Sequence, residues 1–491
     1  MALRPYSAVV MGLAVTTSLT SACGDNGTAP AASGLRFVNG NGITDTVQST
    51  PVQALVVEVR SETGALALHT VVRFQSLLIE SVPYSTPGVL VSPITTTYFS
   101  TFAADSTNAS GRASVLVQLG TRVGNAKLLV SAPEFGFQDT ARFTVLPGEL
   151  AHVVAAPGDT AVYVGASFQS RATATDRFGN LRTDQVMFAP LAAGVTTSQT
   201  GLVTAGGNIA RVSYMASAGC CSDTGWVSVV PQGTLAAFQT TTVGGNGPGV
   251  VTFNLDGSGY QWIAAAGYPG NGVGTAWTPS GTRLAFGAAN APDWLYTSDL
   301  SGTVRKLITP GDSGLTLVAW PAYSPDGGYV YFSGATTGNF SVWRANADGS
   351  EPHLLYTDPS GLAQRESPSP DGTRVAFAAN NPPVIRVYTL ASATVSSWSV
   401  SGHTPRWSPA GDMIAFAHQY TGPISVMSSN GTAVRQISQP GRSYTEASLT
   451  WSNDGAWVVA RGQVLELINV ASGLTLPLAY TTSLIEPAWK P

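Results

Sequence analysis

From Gly34 to about Gly244 apolar and polar residues alternate in short β-branched runs, and no stretch sustains the 3.6-residue period of an amphipathic helix. Val52-Gln-Ala-Leu-Val-Val-Glu-Val59 and Ala113-Ser-Val-Leu-Val-Gln-Leu119 have the two-residue period of strands with one buried face. Gly, Asn, Asp and Pro separate the runs, as at Thr63-Gly64 and Thr107-Asn-Ala-Ser-Gly-Arg112. Phe143-Thr-Val-Leu146 closes a first unit, residues 34–147, at Pro147-Gly148. A second unit, residues 148–244, opens with Leu150-Ala-His-Val-Val-Ala155, with one strand predicted from Ala166 to Asp176 and its turn at Arg177-Phe-Gly-Asn180. About 100 residues per unit, with strands every 8–12 residues, predicts two β-sandwiches.

The pattern changes after residue 247, where a repeat begins. Turns end at Gly281, Gly327, Gly372, Gly411 and Gly455, spaced by 46, 45, 39 and 44 residues, and four of the five have Pro two residues before the Gly. Pro followed two places later by Gly is type I turn chemistry. Three and five residues past each Gly lie apolar pairs: Leu284 and Phe286, Val330 and Phe332, Val375 and Phe377, Ile414 and Phe416, Val458 and Ala460. Residues two apart share one face of a strand, so each repeat contributes a pair to a common core. Second hairpins turn at Asp256-Gly257, Asp348-Gly349 and Asn430-Gly431. The C-terminal Glu486-Pro-Ala-Trp489 begins a unit and stops, so the chain starts and ends part-way through a repeat. Six units of about 41 residues predict a six-bladed β-propeller over 247–491, closed by pairing of its N- and C-terminal strands. The expected fold class is therefore all-β: two sandwiches, then a propeller.

Composition narrows the function. Charged residues are 11% of 491 and hydrophobic residues 44%, which excludes a disordered chain. The net charge of −4 lacks the basic excess of a nucleic-acid-binding protein. Arg4 precedes an apolar stretch, Ala8 to Leu19, of the length of a signal-peptide core and too short to span a bilayer. Of three cysteines, Cys220 and Cys221 are adjacent, which leaves a vicinal disulfide or two unlinked thiols open.

Three resemblances follow from these segments. Leu19-Thr-Ser-Ala-Cys23-Gly resembles the lipobox of bacterial lipoproteins. That resemblance implies a signal peptide over 1–22, lipidation of Cys23, a tether over 23–33 and attachment to a membrane through the lipid. With Gly24 rather than Asp after the Cys, it also implies the outer membrane. The segment "VRSETG…TNASGRASVLVQLGTRVGNAKLLVSA" is similar to bacterial Ig-like domains of the invasin and intimin kind, which act as stalks or adhesive spacers. Ser367-Pro-Ser-Pro-Asp-Gly-Thr-Arg-Val-Ala-Phe377 and Pro405-Arg-Trp-Ser-Pro-Ala-Gly-Asp-Met-Ile-Ala-Phe416 resemble the TolB-type propeller repeat of bacterial envelope proteins, whose most familiar use is protein binding.

No catalytic constellation stands out. The sequence contains no G-x-S-x-G elbow and no H-E-x-x-H, and the five His show no ligand spacing. Gly311-Asp-Ser-Gly314 reads as turn chemistry. No metal site and no cofactor are expected. Ligands of propellers commonly sit at a channel mouth, and the residues just ahead of the Trp-bearing strands are Arg365, Glu366, His403, Glu446 and Glu486. Three carboxylates with a His suit a cation or a basic partner; alternatively, Glu before Pro or Ser is part of the repeat wording. The expectation is a non-enzymatic, lipid-anchored envelope protein whose propeller binds a protein or glycan. A propeller enzyme, such as a polysaccharide lyase or hydrolase, and an adhesin working through its Ig-like domains are the alternatives.

Overall fold

The computed structural model describes residues 32–77, 86–265, 274–288, 294–309, 311–379, 383–418, 421–445 and 448–491. The expected signal peptide, Cys23, the expected tether up to residue 31, and Glu446 lie outside the described residues. The described chain is all-β apart from three short 3-10 turns, and no helix in it is long and apolar enough to cross a membrane.

Two compact units divide the chain. The first, residues 1–149 with 176–180, holds two sheets. One orders Gly34–Asn39, Leu55–Arg60, Arg112–Leu119 and Val89–Pro93; the other orders Thr44–Thr46, Phe137–Leu146, Gly124–Ala132, Val71–Ser76 and Phe102–Ser106. Alternation sets the faces: in Arg112–Leu119 the residues Ala113, Val115, Val117 and Leu119 are buried and those between them are not. They share a core with Val57, Phe74, Leu128, Val130 and Phe143 of both sheets.

The second unit, residues 150–175 with 181–491, begins with a smaller set of sheets. Asp159–Tyr163 runs parallel to Cys221–Val230, which pairs with Ala210–Ala218 and through it with Met187–Pro190. The single strand expected from Ala166 to Asp176 is two strands in different sheets, Ser167–Gln169 and Arg171–Asp176. The break falls at Ser170, which is buried: its amide donates to Gly201 O and its hydroxyl hydrogen-bonds the Tyr214 hydroxyl at 2.8 Å. The amide bond is the last of the Ser167–Gln169 ladder, and the Tyr214 bond holds Ser170 where the chain passes to the next sheet.

Residues 234–491 form a β-propeller. Among the described residues they hold six four-stranded antiparallel sheets. Five take their strands in sequence order; the sixth orders Gln261–Ala265, Gly249–Asn254, Thr234–Gln239 and the C-terminal Leu484–Trp489. Three strands thus come from the front and one from the back, so the part-repeats at the two ends are unequal. Thr234–Gln239 had been placed in the second unit, which was expected to run to Gly244, ahead of a propeller starting at 247. Its residues Leu235, Ala236, Ala237 and Phe238 are all fully buried, as a central strand covered on both faces requires. Ala161 and Val230 of the smaller sheets join Leu235, Ala237, Trp457 and Leu465 in one core, and the Ser228 hydroxyl donates to Pro477 O at 2.8 Å.

The repeat wording has a structural reason at each position. The turn glycines 281, 327, 372, 411 and 455 have φ between +65° and +73°, where a side chain is strained. Thr278, Ser324, Ser369, Ser408 and Ser452 accept, through their hydroxyls, the amide five residues on, at 2.9–3.2 Å, which closes each turn. Successive turns also overlap, with Pro279, Pro325, Pro370 and Pro409 each lying against the glycine of the next turn. The ten expected core residues of the apolar pairs are all buried.

Each sheet contributes one inner strand: Thr275–Trp277, Leu317–Tyr323, Ala363–Pro368, His403–Trp407, Leu449–Trp451 and Leu484–Trp489. In that order each contacts the next, and the last contacts the first. The site lies where these six strands surround the central axis.

Candidate functional site

The inner strands share an irregularity that places functional side chains. In four of them the pairing register slips, between Ala319 and Ala322, Gln364 and Ser367, His403 and Arg406, and opposite Ala236 and Phe238. At each slip one residue is left-handed: Trp320, Arg365, Thr404 and Glu486, with φ from +50° to +63°. All four stand seven residues before the turn glycine, or where that glycine would follow, and Gly274 (φ +46°) occupies the same place in a fifth unit. A bulge of this kind re-aims side chains next to it.

Four of the five expected binding-face residues are brought together here, but not on a surface. Arg365, Glu366, His403 and Glu486 are only 6%, 1%, 2% and 6% exposed. The sequence placed them ahead of the strands; they lie within them, so they line the interior around the axis rather than its rim. The Arg365 Nη1 donates to Glu486 Oε1 at 3.2 Å, and its guanidinium stacks 4.7 Å from the Trp320 ring centroid. Three steps around the six inner strands separate Arg365 from Glu486 in either direction, so this ion pair spans the central opening. Arg406, which the sequence reading missed, donates through Nη1 to the carbonyls of Arg365 (3.1 Å) and Pro405 (2.9 Å). A signal for it was available: at the same repeat position the other units carry the small residues Ala276, Ala322, Ser367, Thr450 and Ala488.

Burial decides the protonation states. Glu366 accepts from the Ser333 hydroxyl at 2.7 Å on Oε2, while Oε1 is buried without a partner. Loss of solvent pushes its carboxyl up to about 8, against the Ser333 hydrogen bond and the two nearby guanidinium groups. His403 is held down to about 3 by burial and by Arg365 and Arg406, so its ring is neutral, with Nδ1 2.9 Å from Thr404 Oγ1 and Nε2 3.2 Å from Gln364 Nε2. Burial and Arg365 also draw Arg406 down to about 10, still charged at neutral pH. The centre therefore holds two cations, one ionised carboxylate paired to one of them, and a carboxylic acid that keeps its proton. Clustered shifts of this size mark functional sites more often than chance.

The turn ends of these strands line a cavity of about 290 Å³ with Tyr323, Pro368, Arg406, Trp407, Thr450 and Trp451 in its wall. A larger cleft, about 630 Å³, lies where the smaller sheets meet the propeller, lined by Asp159, Arg442 and Glu466. Cys220 and Cys221 stand at the tip of the hairpin joining Ala210–Ala218 to Cys221–Val230, with sulfurs 2.7 Å apart. Among the described residues no three His, Cys, Asp or Glu side chains gather as a metal site would require.

No family model matches the chain. A curated relative is an uncharacterized protein of Agrobacterium fabrum, 26% identical over an alignment of 161 residues that covers 29% of this chain and 54% of that protein. The chain thus spans about half the length of the relative it matches. Similar solved structures include TolB from Acinetobacter baumannii, at 18% identity over 62% of this chain and 83% of that one, with a TM-score of 0.45. An oligogalacturonate lyase in complex with manganese is similar at 17% identity over 51% of this chain and 74% of its own, TM-score 0.33. A gluconolactonase from Xanthomonas campestris is similar at 14% identity over 53% and 82%, TM-score 0.38. The propeller assignment itself rests on this chain's own strand pairing.

Proposed function

We propose that this chain is a cell-envelope protein, anchored by lipid at Cys23, whose TolB-like, closed six-bladed propeller binds an envelope protein or glycan without turning it over. In this reading the first unit and the smaller sheets of the second are Ig-like sandwiches that serve as its stalk at an outer membrane. The observation that carries the reading is the buried seam between the smaller sheets of the second unit and the propeller, in which Ala161, Val230, Leu235, Ala237 and Trp457 form one core. A propeller fixed in this way is presented in a constant orientation, which suits a binding platform. The test is photo-crosslinking of the full chain in envelope extract, with crosslinks located by mass spectrometry. A reproducible partner joined to residues 234–491 supports the reading. Crosslinks confined to residues 32–149 would replace it with adhesion through the first sandwich.

One observation favours a second reading, a propeller enzyme acting on polysaccharide. Glu366 keeps a proton at neutral pH and has one oxygen without a protein partner, as a general acid needs. Release of new reducing ends or unsaturated products from acidic or neutral polysaccharides, lost in Glu366→Gln, would establish it over the binding platform.

A further inference from the structure

Two buried polar atoms at the propeller's centre lack protein partners, Arg365 Nε and Glu366 Oε1. Arg365 Nε is buried with no acceptor. Arg406 uses Nη1 on two carbonyls, those of Arg365 and Pro405, and keeps its charge at neutral pH. Glu366 Oε2 takes the Ser333 hydroxyl, so the proton that the acid keeps belongs on Oε1, which also has no partner. Arg365 and Glu366 are neighbours in the chain, and Arg406 hydrogen-bonds the Arg365 carbonyl, so the three sets of donors share one neighbourhood. Glu486 neutralises one guanidinium, which leaves a surplus of one positive charge. His403 adds none, being neutral. Arg406 also lines the 290 Å³ cavity at the turn ends of the inner strands, so one of these donors is reachable from a space large enough for a small molecule.

A site with donors to spare, one excess positive charge and aromatic walls in Tyr323, Trp407 and Trp451 complements a monoanion rich in acceptors. We infer that the turn-side cavity binds the carboxylate of a small organic acid, with the Arg406 guanidinium as its principal contact between the rings of Trp407, Trp451 and Tyr323. The inference rests on the binding reading above and names the chemistry that this part of the propeller recognises. A carboxylate fits better than a phosphate dianion, because the second negative charge would have no cation left to meet it. An acidic sugar and the free C-terminus of a peptide present the same group.

The charge count gives the site a pH dependence. The charged and titratable groups facing Glu366 are Arg365 and Arg406, with Glu486 paired to the first and His403 neutral beside both. Below about 8 the acid donates and the surplus charge stands; above it Glu366 ionises, cancels the surplus and repels the ligand.

The test is isothermal titration of the full chain with D-glucuronate, N-acetyl-L-alanine and, as the neutral match, D-glucose. At least one carboxylate should bind at millimolar concentration or below while glucose does not. Arg406→Gln should weaken it about tenfold or more, the loss of one charge-assisted contact. Affinity for wild type should fall about tenfold per pH unit above pH 8, the slope of one linked proton. Binding of glucuronate alone identifies an acid sugar, of N-acetyl-L-alanine alone a chain terminus, and of both a general carboxylate site. If Arg406→Gln does not fold by circular dichroism, the wild-type pH series decides. Silence from both carboxylates, glucose binding as well as glucuronate, or affinity flat across pH 7–9 overturns the inference. A crosslinked partner in the earlier experiment would survive that failure, so the two results fall separately.

Discussion

Replacing Glu486 with Gln tests whether the buried charges hold the propeller together. The substitution keeps the size of the side chain and removes the anion that faces Arg365 at 3.2 Å, with both side chains 8% exposed. At that distance and an effective dielectric of about 20 the direct attraction is about 5 kcal/mol. The loss also leaves Arg365 and Arg406, which already repel one another, without their counter-charge. Breaking one partner of a buried pair typically costs about 3–5 kcal/mol, and Gln returns part of that through its carbonyl oxygen, so about 3 kcal/mol is expected. Urea unfolding followed by tryptophan fluorescence reads this cleanly, because all eleven tryptophans lie at Trp226 or later and none in the first unit. The midpoint should fall with the slope unchanged. Arg365→Met combined with Glu486→Leu should recover most of the loss, since an apolar pair needs no solvation. A fall of less than about 1 kcal/mol in Glu486→Gln, or a double variant worse than either single one, would refute the claim that this ion pair is desolvated.

Two further predictions use the same assay. Because the Glu366 carboxyl is raised from 4.5 to about 8 in the fold, the folded chain holds a proton that the unfolded one releases, so this group makes stability fall as pH rises from about 4.5 to 8. Glu366→Gln should match wild type near pH 4.5 and gain on it by up to about 1.4 kcal/mol per unit up to pH 8, while a constant difference across that range would show that Glu366 is ionised in the fold. At Gly349 (φ +88°) a methyl group would come within 1.8 Å of the Leu307 carbonyl, whereas at Gly338, also φ +88°, it would meet open space. Gly349→Ala should cost about 3 kcal/mol or more and Gly338→Ala about 1; equal losses would mean that backbone strain alone matters at both.

The propeller was legible because each unit must solve the same problem locally. Closing a tight turn takes a Ser or Thr hydroxyl and a left-handed Gly, and filling the core takes two apolar residues at fixed distances from that Gly, so the solution recurs as wording. Thr234–Gln239 escaped because it belongs to the sheet shared with the C-terminal strand, carries no turn of its own and sits before the first repeat. The change of sheet at Ser170 escaped for another reason: its cause is a bond to Tyr214, 44 residues away, and nothing nearby in the chain announces it. At the site, four candidates read from their place before the Trp-bearing strands do converge, yet their burial was hidden, since the register slip that turns them inward is a property of paired strands. The Arg365–Glu486 bond joins residues 121 apart and has no local signature at all. Arg406 could have been found by asking which unit breaks the run of small residues at its position.

The bond between Arg365 and Glu486 also bears on what can pass through the molecule. Because it reaches from one side of the axis to the other, the ion pair lies across the path along that axis. A polymer threaded along the axis would have to part the two side chains. Any signal from one face to the other would have to travel through this pair or through the walls.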